Sequence, residues 1–394
     1  MSSLIHLRNL PTAIHSCDLV VVGSGFFGAT ISNVLATKYG KRILVIESRD
    51  HLGGNAHSYR DTETDIDVHK YGSHLFHTSN SAVWEFVTRF SSFTSYEHRV
   101  YARFNNEVFN LPINLHTLSQ FFGKVFTPEI ASSFIKNPMN KSEESFEQRA
   151  IASIGVELYE AFFKNYTAKQ WGIPPEKLPG STFSRLPIRL NFDSRYFQDK
   201  YQGLPVDGFD ALFKKMLNHE NVLFSLNTDF FMWKNFIRSS CKPVVYTGPL
   251  DRYFDYCYGV LGWRTLDFQL EKLDVMDFQG TAVMNYPEST WDFTRIHEFK
   301  HLYPDREYTV PKTLIMKERS RQAKQDDEPY YPINSTHDRE MLLKYRNRSK
   351  AEKGVIFGGR LGSYQYLDMH MAIASALSHV DEALKLIQQQ GKFA

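Results

Sequence analysis

The segment DLVVVGSGFFGATISNVLATKYGKRILVIE, Asp18–Glu47, decides the fold of this chain. It opens on an unbroken apolar run, Leu19–Val22, which predicts a strand buried on both faces. Three glycines in G-x-G-x-x-G spacing follow directly: Gly23, Gly25 and Gly28. A helical apolar pattern and a second buried strand, Arg42–Ile46, complete a βαβ unit, and Glu47 lies 19 residues past Gly28. The segment therefore predicts a dinucleotide site, where a helix N-terminus meets a pyrophosphate and an acid meets a ribose hydroxyl.

A second glycine pair comes just after the acid, in Ser48–Asn55, SRDHLGGN. A plain NAD enzyme has no need of glycines here, whereas a flavoprotein commonly places a pair where the backbone passes close to its cofactor. The pair therefore favours FAD over NAD. The cofactor contacts predicted in this part of the chain are Gly23, Gly25, Phe26, Gly28, Glu47, Ser48, Gly53, Gly54 and Asn55.

Three histidines, His69, His74 and His77, lie in the next segment, VHKYGSHLFHT (68–78). The spacing of His74 and His77 is compatible with a metal pair. No third ligand of convincing spacing follows, however, and the sequence has no H-E-x-x-H motif. The sequence therefore predicts no metal site, and histidines packed and hydrogen-bonded beneath a cofactor are the preferred interpretation.

The composition is that of an ordinary soluble protein of two or three domains, with 394 residues of which 42% are hydrophobic. A formal net charge of +2 argues against a general nucleic-acid binder. The three cysteines, Cys17, Cys241 and Cys257, form no C-x-x-C pair and no even disulfide set, which favours a reducing cytoplasm. No apolar run approaches ~18 residues, so no membrane span is expected. Met1–Ser16 is interpreted as a leading tail and not as a signal peptide.

The rest of the chain predicts an α/β protein whose Rossmann-like FAD-binding domain is interrupted by a helical domain and an antiparallel sheet domain. The sheet is expected because residues 181–202 and 260–325 alternate like strands, whereas residues 115–170 follow helical spacing. The expected division is 1–90 for the first part of the FAD domain, 91–180 for the helical insertion, 181–202 and 260–325 for the sheet, and 203–259 and 326–394 for the remaining FAD-domain parts.

The C-terminal part reads as a strand, Val355–Phe357, then a glycine loop and a helix that begins at Asp368–Met369. The dipole of such a helix can point at an isoalloxazine ring, where it favours negative charge on the reduced flavin. The predicted cofactor contacts here are Arg360, Asp368 and Met369. A surface loop with a closing helix is the alternative interpretation.

Arginines and tyrosines of the inserted segments are the remaining candidates for binding: Arg185, Arg264, Arg295, Tyr196, Tyr331 and Tyr366. An arginine fork grips phosphate bidentately, which suits a nucleotide diphosphate substrate. Each arginine taken alone is more often a solvated or salt-bridged residue. Trp171, beside the Pro/Gly-rich segment 172–180, can stack on a base or sugar, or can belong to the core.

From about Asp18 onward the chain resembles the bacterial UDP-galactopyranose mutase family. The segments that carry the resemblance are VVGSGFFGA, GGNAHS, HKYGSHLFHT, YTAKQWG, LPIR, YTGPLDRYFDY, FTRI, EPYYPI and GRLGSYQYLDM. The resemblance implies an FAD domain with a helical-bundle insertion and a sheet domain of about six strands. The chain departs from the family pattern at Ser73, around Trp291–Phe293, and in about 14 additional residues at its start. These departures bear on the identity of the sugar.

The resemblance also implies roles for individual residues. Arg185 and Arg295 would hold the substrate diphosphate, Trp171 would lie on a mobile loop that closes over the nucleotide, and His74 would lie against the flavin. The catalytic residues are accordingly predicted to be Arg185, Arg295 and His74. The predicted substrate contacts are Trp171, Phe162, Tyr166, Tyr196, Arg264, Asn285, Tyr331, Tyr366 and Asp368.

The activity that the resemblance implies is the interconversion of UDP-galactopyranose and UDP-galactofuranose through N5 of reduced FAD, without net redox change. A cellular reductant such as NAD(P)H would keep the flavin reduced, and the family suggests a homodimer. Three alternatives stay open: a mutase for another nucleotide sugar, a flavin-dependent oxidoreductase on the same fold, and an FAD-holding protein without catalytic activity.

Overall fold

The computed structural model describes residues 4–135, 144–185 and 187–389, except for the side chains of residues 184 and 185. The strands within these ranges are β1 (Leu19–Val22), β2 (Ile43–Ile46), β3 (Ser58–Arg60), β4 (Asp67–His69), β5 (Phe76–Thr78), β6 (Val100–Phe104), β7 (Glu107–Leu111), β8 (Tyr201–Gly203), β9 (Val222–Ser225), β10 (Val244–Tyr246), β11 (Trp263–Leu273), β12 (Val283–Asn285), β13 (Arg295–Glu298), β14 (Thr313–Gln322), β15 (Tyr331–Pro332) and β16 (Val355–Phe357). The helices are α1 (Leu10–Ser16), α2 (Phe26–Tyr39), α3 (Ser81–Val87), α4 (Leu115–Phe122), α5 (Pro128–Phe134), α6 (Phe146–Ile154), α7 (Val156–Leu158), α8 (Asn165–Trp171), α9 (Gly208–Leu217), α10 (Phe230–Ser239), α11 (Leu250–Tyr253), α12 (Thr336–Ala351), α13 (Gly359–Ser363), α14 (Met369–Ser378) and α15 (Val380–Gln388).

A parallel sheet of five strands in the order β16-β10-β1-β2-β9 lies at the centre of the dinucleotide-binding region. All residues of β1 and β2 are buried, as expected of strands that are covered on both faces. Helix α2 connects them and ends at Gly40, whose φ of 61° closes the helix. The predicted βαβ unit is therefore confirmed, and the sheet is completed by β10 and β16 from the second half of the chain.

The second large sheet has seven described strands in the order β15-β11-β14-β13-β12-β6-β7, one more than the expected six. Its core is the long antiparallel pair β11 and β14. The pair β12 and β6 runs parallel, so the sheet is mixed and not purely antiparallel. The hairpin β6–β7 falls within the predicted helical insertion and β15 within the predicted FAD domain, but both extend this sheet.

The prediction that residues 181–202 contribute strands to this sheet is wrong. Residues Gly180–Arg185 form a 3-10 helix, and Tyr201–Gly203 pairs with β5 in a separate two-stranded sheet. The Arg189 guanidinium donates to the carbonyl oxygens of Asp193, Arg195 and Tyr196. A side chain therefore satisfies backbone acceptors that a neighbouring strand would otherwise bind.

The helical insertion is confirmed as α4–α8 and has its own hydrophobic core. A π-helical turn, Tyr159–Lys164, joins α7 to α8. The phenylalanine-rich interior packs between these helices and the hairpin β6–β7, which fixes the position of α8 above the mixed sheet.

The start of the chain differs from the expected tail. Leu10–Ser16 forms helix α1, and Leu10 and Ile14 are fully buried against the parallel sheet. In the described part of the chain, no helix combines the length and apolarity needed to cross a membrane.

Candidate active site

The turn between β1 and α2 can be built only from glycines at two of its positions. A Cβ on Gly28 would lie 2.0 Å from the carbonyl oxygen of Gly23. Gly23 itself has a φ of 96°, and a Cβ there would lie 2.1 Å from Oγ1 of Thr247. The G-x-G-x-x-G spacing thus lets β1, α2 and the strand-to-loop turn after β10 approach one another closely.

Glu47 is held in place at the end of β2. Its Oε2 accepts hydrogen bonds from the backbone N and the hydroxyl of Ser24, at 2.9 and 2.7 Å, and its Oε1 accepts one from the backbone N of Arg49 at 3.0 Å. These contacts fix a 5% exposed carboxylate beside the glycine turn, where an acid can accept from ribose hydroxyls.

A cavity of about 650 Å³ opens from this turn and runs to the N-terminus of α14. This volume falls within the usual range for ligand sites, about 300–1,000 Å³. All the predicted cofactor contacts line it: Gly23, Gly25, Phe26, Gly28, Glu47, Ser48, Gly53, Gly54, Asn55, His74, Arg360, Asp368 and Met369. Two ends of the chain that are more than 300 residues apart therefore form one cleft, as the sequence predicted.

The space around Gly25 and the uncapped start of α2 show that the cavity can hold a dinucleotide. A Cβ on Gly25 would meet no described atom within 4 Å, although Cβ atoms on Gly23 and Gly28 would clash. Gly25 precedes α2, and no side chain in the described residues caps that helix. The first-turn N–H groups of α2 therefore face open space that suits a pyrophosphate.

The lining also contains residues that the sequence did not predict, among them Ser24 and Arg49. Arg49 forms an ion pair with Glu328 at 2.6 Å and donates to Oδ1 of Asn55 at 2.7 Å, which ties the second glycine pair to the loop 326–329. Both residues lie inside the quoted glycine segments, so their position next to a predicted contact was the available signal.

Arg295, on β13, lies at the centre of a second group of polar side chains. Its Nε is 3.3 Å from Oε1 of Glu318 on the neighbouring strand β14. Burial acts to lower the pKa of Arg295, but the Glu318 carboxylate and nearby tyrosines outweigh it, so the pKa lies above its usual value and the guanidinium stays charged. Its side chain is 28% exposed, which leaves surface for a ligand.

Glu318 is in turn fixed by His297, whose Nε2 donates to Oε2 at 2.9 Å. Ser73 is 2.8 Å from Nδ1 of the same ring. Burial acts to raise the pKa of Glu318, and Arg295 and His297 together bring it below its usual value, so the group remains a carboxylate. Burial also lowers the pKa of His297, so its neutral ring accepts from the Ser73 hydroxyl at Nδ1. The series of contacts Ser73–His297–Glu318 therefore fixes the orientation of the Arg295 side chain.

Tyrosines surround the guanidinium. Arg295 interacts electrostatically with Tyr166, Tyr331 and Tyr196, and the rings of Tyr331 and Tyr366 stack at a centroid distance of 5.7 Å. Burial raises the pKa of Tyr166 to about 12 and also raises the pKa values of the other tyrosines of this group. These hydroxyls therefore stay protonated at neutral pH and can donate to anionic oxygens.

The residues lining the cofactor cavity and the polar side chains around Arg295 adjoin each other through His74, Arg360 and Asp368. Arg360 lies 5.1 Å from the centre of the Tyr366 ring, and Asp368 interacts electrostatically with Tyr196 and Tyr366. Burial lowers the pKa of His74 to about 4, so its ring is neutral. Because Nδ1 of His74 donates to the carbonyl of Gly72 at 2.7 Å, Nε2 is left as an acceptor.

Asn285 pairs with Arg295 across strands β12 and β13, and its Oδ1 is buried without a hydrogen-bond partner among the described residues. A buried acceptor of this kind is costly unless a ligand or water satisfies it. The observation is consistent with the predicted substrate contact at Asn285.

Phe162 does not join this group. It is 3% exposed, and its ring packs against Phe109, Phe121 and Phe104 at centroid distances of 5.1, 5.6 and 5.7 Å. The prediction of a substrate contact at Phe162 is corrected: the residue belongs to the core of the helical insertion, because its position in the π-helical turn points it inward.

Arg264 is buried beneath the end of helix α8. Its guanidinium donates to the carbonyl of Gln170 and to the Ser320 hydroxyl, both at 3.1 Å. Burial lowers its pKa to about 10. Arg264 therefore positions the helix that ends at Trp171, and in the structure it supports the site from below. The side chain of Arg185, the other predicted diphosphate ligand, lies outside the described residues.

Together these features define a dinucleotide-dependent enzyme of Rossmann-like architecture. Beside the cofactor cleft it has a cationic chamber, which is formed by Arg295 with Tyr166, Tyr196, Tyr331 and Tyr366. Residues 161–366 match the family model for UDP-galactopyranose mutase, and residues 21–90 match the model for an NAD(P)-binding Rossmann-like domain. The chain belongs to the UDP-galactopyranose mutase family, and it is an enzyme, a mutase.

Two relatives agree with this assignment, and one solved structure shares the fold. A protein of Klebsiella pneumoniae described as a probable UDP-galactopyranose mutase is 43% identical over 95% of this chain and 96% of its own length. The dTDP-fucopyranose mutase of Escherichia coli is 37% identical over 91% of this chain and 96% of its own. The crystal structure of a reduced UDP-galactopyranose mutase superposes with a TM-score of 0.69 over 96% of both chains at 13% identity, which shows a shared fold.

Proposed function

We propose that this mutase interconverts UDP-galactopyranose and UDP-galactofuranose and that its cofactor is FAD in the reduced state. The observation that carries the proposal is the position of the Arg295 chamber: a charged guanidinium among protonated tyrosines opens beside the dinucleotide cavity. The 43% identical relative from Klebsiella pneumoniae supports this choice of substrate.

The cofactor assignment rests on the shape of the cavity. Gly23, Gly25 and Gly28 would admit the pyrophosphate, Glu47 the adenosine ribose, and the N-terminus of α14 the flavin end. When bound and reduced, FAD supplies a nucleophilic N5 that can accept the sugar and return it without net oxidation.

The first contribution of the protein to the reaction is the positive charge of Arg295. Departure of a nucleotide diphosphate leaves negative charge on its phosphate oxygens, and Arg295 offers a fixed cation there because Glu318 and His297 hold it. Tyr166, Tyr196 and Tyr331 can donate hydrogen bonds to the same oxygens. Held in this way, the diphosphate stays close enough to rejoin the rearranged sugar, so the second bond formation is effectively intramolecular.

Two further polar groups of the site are neutral. His74 presents Nε2 as an acceptor at neutral pH, and Asn285 presents a buried, unpaired carbonyl oxygen within the described residues. Both groups can orient sugar hydroxyls without bringing a competing charge into the chamber.

The test is to incubate the purified, FAD-loaded protein with UDP-galactofuranose, with and without dithionite, and to separate the products by chromatography. We expect UDP-galactopyranose to form only after reduction and without stoichiometric consumption of reductant. Turnover that starts from oxidised flavin and consumes oxygen or another electron acceptor would instead indicate an oxidoreductase. Binding of the nucleotide without isomerisation would indicate a protein without catalytic activity.

The sugar is tested in the same assay. Because the Escherichia coli dTDP-fucopyranose mutase is also 37% identical over almost its whole length, dTDP-fucopyranose is the competing substrate. We expect the kcat/KM for the UDP-galactose pair to exceed that for the dTDP-fucose pair. The reverse order would reassign the substrate and leave the mutase chemistry in place.

The remaining parts of the proposal are tested by separate measurements. We expect a homodimer by sedimentation, an NAD(P)H-dependent reduction of the flavin, and a cytoplasmic protein with no nucleic-acid partner. Trp171 is expected to lie on a segment that closes over the nucleotide, which tryptophan fluorescence during UDP titration would report.

A further inference from the structure

A cluster of possible metal ligands lies at the start of helix α14, where Asp368 and Met369 line the cofactor cavity. His77 comes from β5, and Asp368 and His370 come from the start of α14, which contacts β5. One ring nitrogen or carboxylate oxygen of each residue lies within 4.8 Å of those of the other two. The sequence could not show this group, because nearly 300 residues separate His77 from the other two.

The His77 ring is oriented from behind. Its Nδ1 is 2.7 Å from Oδ2 of Asp199, and the Ser79 hydroxyl donates to the other oxygen of that carboxylate at 2.8 Å. The ring also stacks on Phe197, with centroids 3.7 Å apart and planes at 10°. Nε2 is consequently the nitrogen left for a ligand. A carboxylate behind one histidine nitrogen is the usual outer-shell arrangement of metal-bound histidines.

The other two residues have unused ligand atoms. Nδ1 of His370 is buried and has no hydrogen-bond partner within residues 4–135, 144–185 and 187–389. Asp368 occupies the N-cap position of α14, yet its carboxylate accepts no capping hydrogen bond there. The His77 and His370 rings pack edge to face with centroids 4.8 Å apart, so both imidazoles are close enough to bind the same ion.

We propose that His77, Asp368 and His370 form a binding site for a divalent first-row transition metal ion. Two imidazoles and one carboxylate select Zn²⁺, Co²⁺, Fe²⁺ or Ni²⁺ over Mg²⁺ and Ca²⁺, which prefer oxygen ligands. Ligands about 2.0–2.2 Å from such an ion are roughly 3–3.5 Å from one another. The ligand atoms of the three side chains therefore move closer to one another by at most about 1.5 Å on binding, and the remaining coordination positions are filled by water or a small ligand.

The site adjoins the catalytic chamber through Asp368, which also lines the cofactor cavity. Metal loading places positive charge on this carboxylate and draws it towards His77. The proposal is independent of which nucleotide sugar the enzyme uses, and its test does not depend on turnover.

The experiment titrates ZnCl₂ and CoCl₂ into the FAD-loaded full chain after chelator treatment and desalting. We expect a saturable 1:1 isotherm for Zn²⁺ at micromolar protein in calorimetry and no comparable heat for MgCl₂. His77→Ala and His370→Ala should each weaken binding at least tenfold. Asp199→Asn, which removes the outer-shell acceptor, should weaken it about 10–100-fold.

The matched control is His301→Ala. His301 belongs to the second group of possible metal ligands, with Asp277 and Glu298, so His301→Ala removes any metal binding there and should leave the 1:1 isotherm of the proposed site in place. Retained binding in His370→Ala, loss of binding in His301→Ala, or the absence of a 1:1 isotherm would each overturn the proposal. If the variants fail to fold, zinc-edge X-ray absorption of the unmutated protein tests the site without them. Two imidazoles in the ligand shell support the proposal, and none or one contradicts it.

Discussion

Replacement of Arg295 by methionine tests whether the positive charge of this side chain is needed for turnover. The substitution keeps much of the apolar length of the side chain and removes the cation that faces Glu318 at 3.3 Å. If Arg295 stabilises the departing diphosphate, turnover should fall about 10²–10³-fold, as expected for loss of one preorganised partner of developing charge.

The same substitution also affects stability, because it leaves Glu318, which is 3% exposed, without its cation. Breaking a buried ion pair costs about 3–5 kcal/mol, and the hydrogen bond from His297 to Glu318 remains, so we expect a loss near or below about 3 kcal/mol. The double variant Arg295→Met/Glu318→Gln removes both charges and should recover most of that stability, since an uncompensated charge is no longer buried.

The assay measures turnover of the reduced enzyme by chromatography, FAD content by absorbance and unfolding in urea for both variants. We expect the double variant to regain stability but not activity. The control is Arg319→Met, one residue along β14, whose guanidinium pairs with Asp292 on the sheet surface at 2.8 Å and should alter turnover less than twofold. Turnover of Arg295→Met within tenfold of the unmutated enzyme, or activity restored in the double variant, would refute the assigned role.

Three other predictions test the cofactor cleft, the histidines and the N-terminal helix. Gly25→Ala should fold normally, because no described atom lies within 4 Å of the new Cβ and its φ of -66° suits alanine, yet it should lose FAD affinity by gel filtration and absorbance. Burial lowers the pKa of His98 to about 3, so the unfolded state binds one more proton than the folded state between about pH 6.5 and 3, and stability should fall as the pH drops. His98→Gln should flatten urea-derived stability against pH by about 1.4 kcal/mol per unit, and an unchanged slope would contradict the buried neutral ring. Ile14→Ala should lower the stability by about 2–5 kcal/mol because its side chain is fully buried, whereas a tail would give no change.

Local patterns predicted the cofactor cleft well because its contacts are encoded next to one another. Leu19–Val22, the glycine turn and Glu47 form within 30 residues, and each has a sequence signature that follows from backbone geometry. The helix at Asp368–Met369 was found in the same way, as a strand, a glycine loop and a helix in succession.

Features that depend on distant partners could not be predicted in this way. Residues 181–202 alternate like strands, but Arg189 takes the carbonyl groups that a partner strand would have used. Leu10 and Ile14 look like parts of a short mixed tail until the parallel sheet provides a surface to bury them. Phe162 shares a helical stripe with Tyr166, yet a π-helical turn separates their environments, so that one enters a core and the other approaches Arg295.

Asp368 shows why the two halves of the chain must act as one site. In a parallel sheet, ligands bind at the carboxyl ends of the strands, so the segments that follow β1 and β16 are brought to one crevice even though they are far apart in sequence. Asp368 stands where that crevice meets the tyrosines around Arg295 on one side and His77 on the other. A change of charge at this carboxylate therefore reaches the cofactor cleft and the substrate chamber together, and Asp368→Asn should alter both flavin properties and nucleotide affinity, whereas a purely structural N-cap would alter only stability.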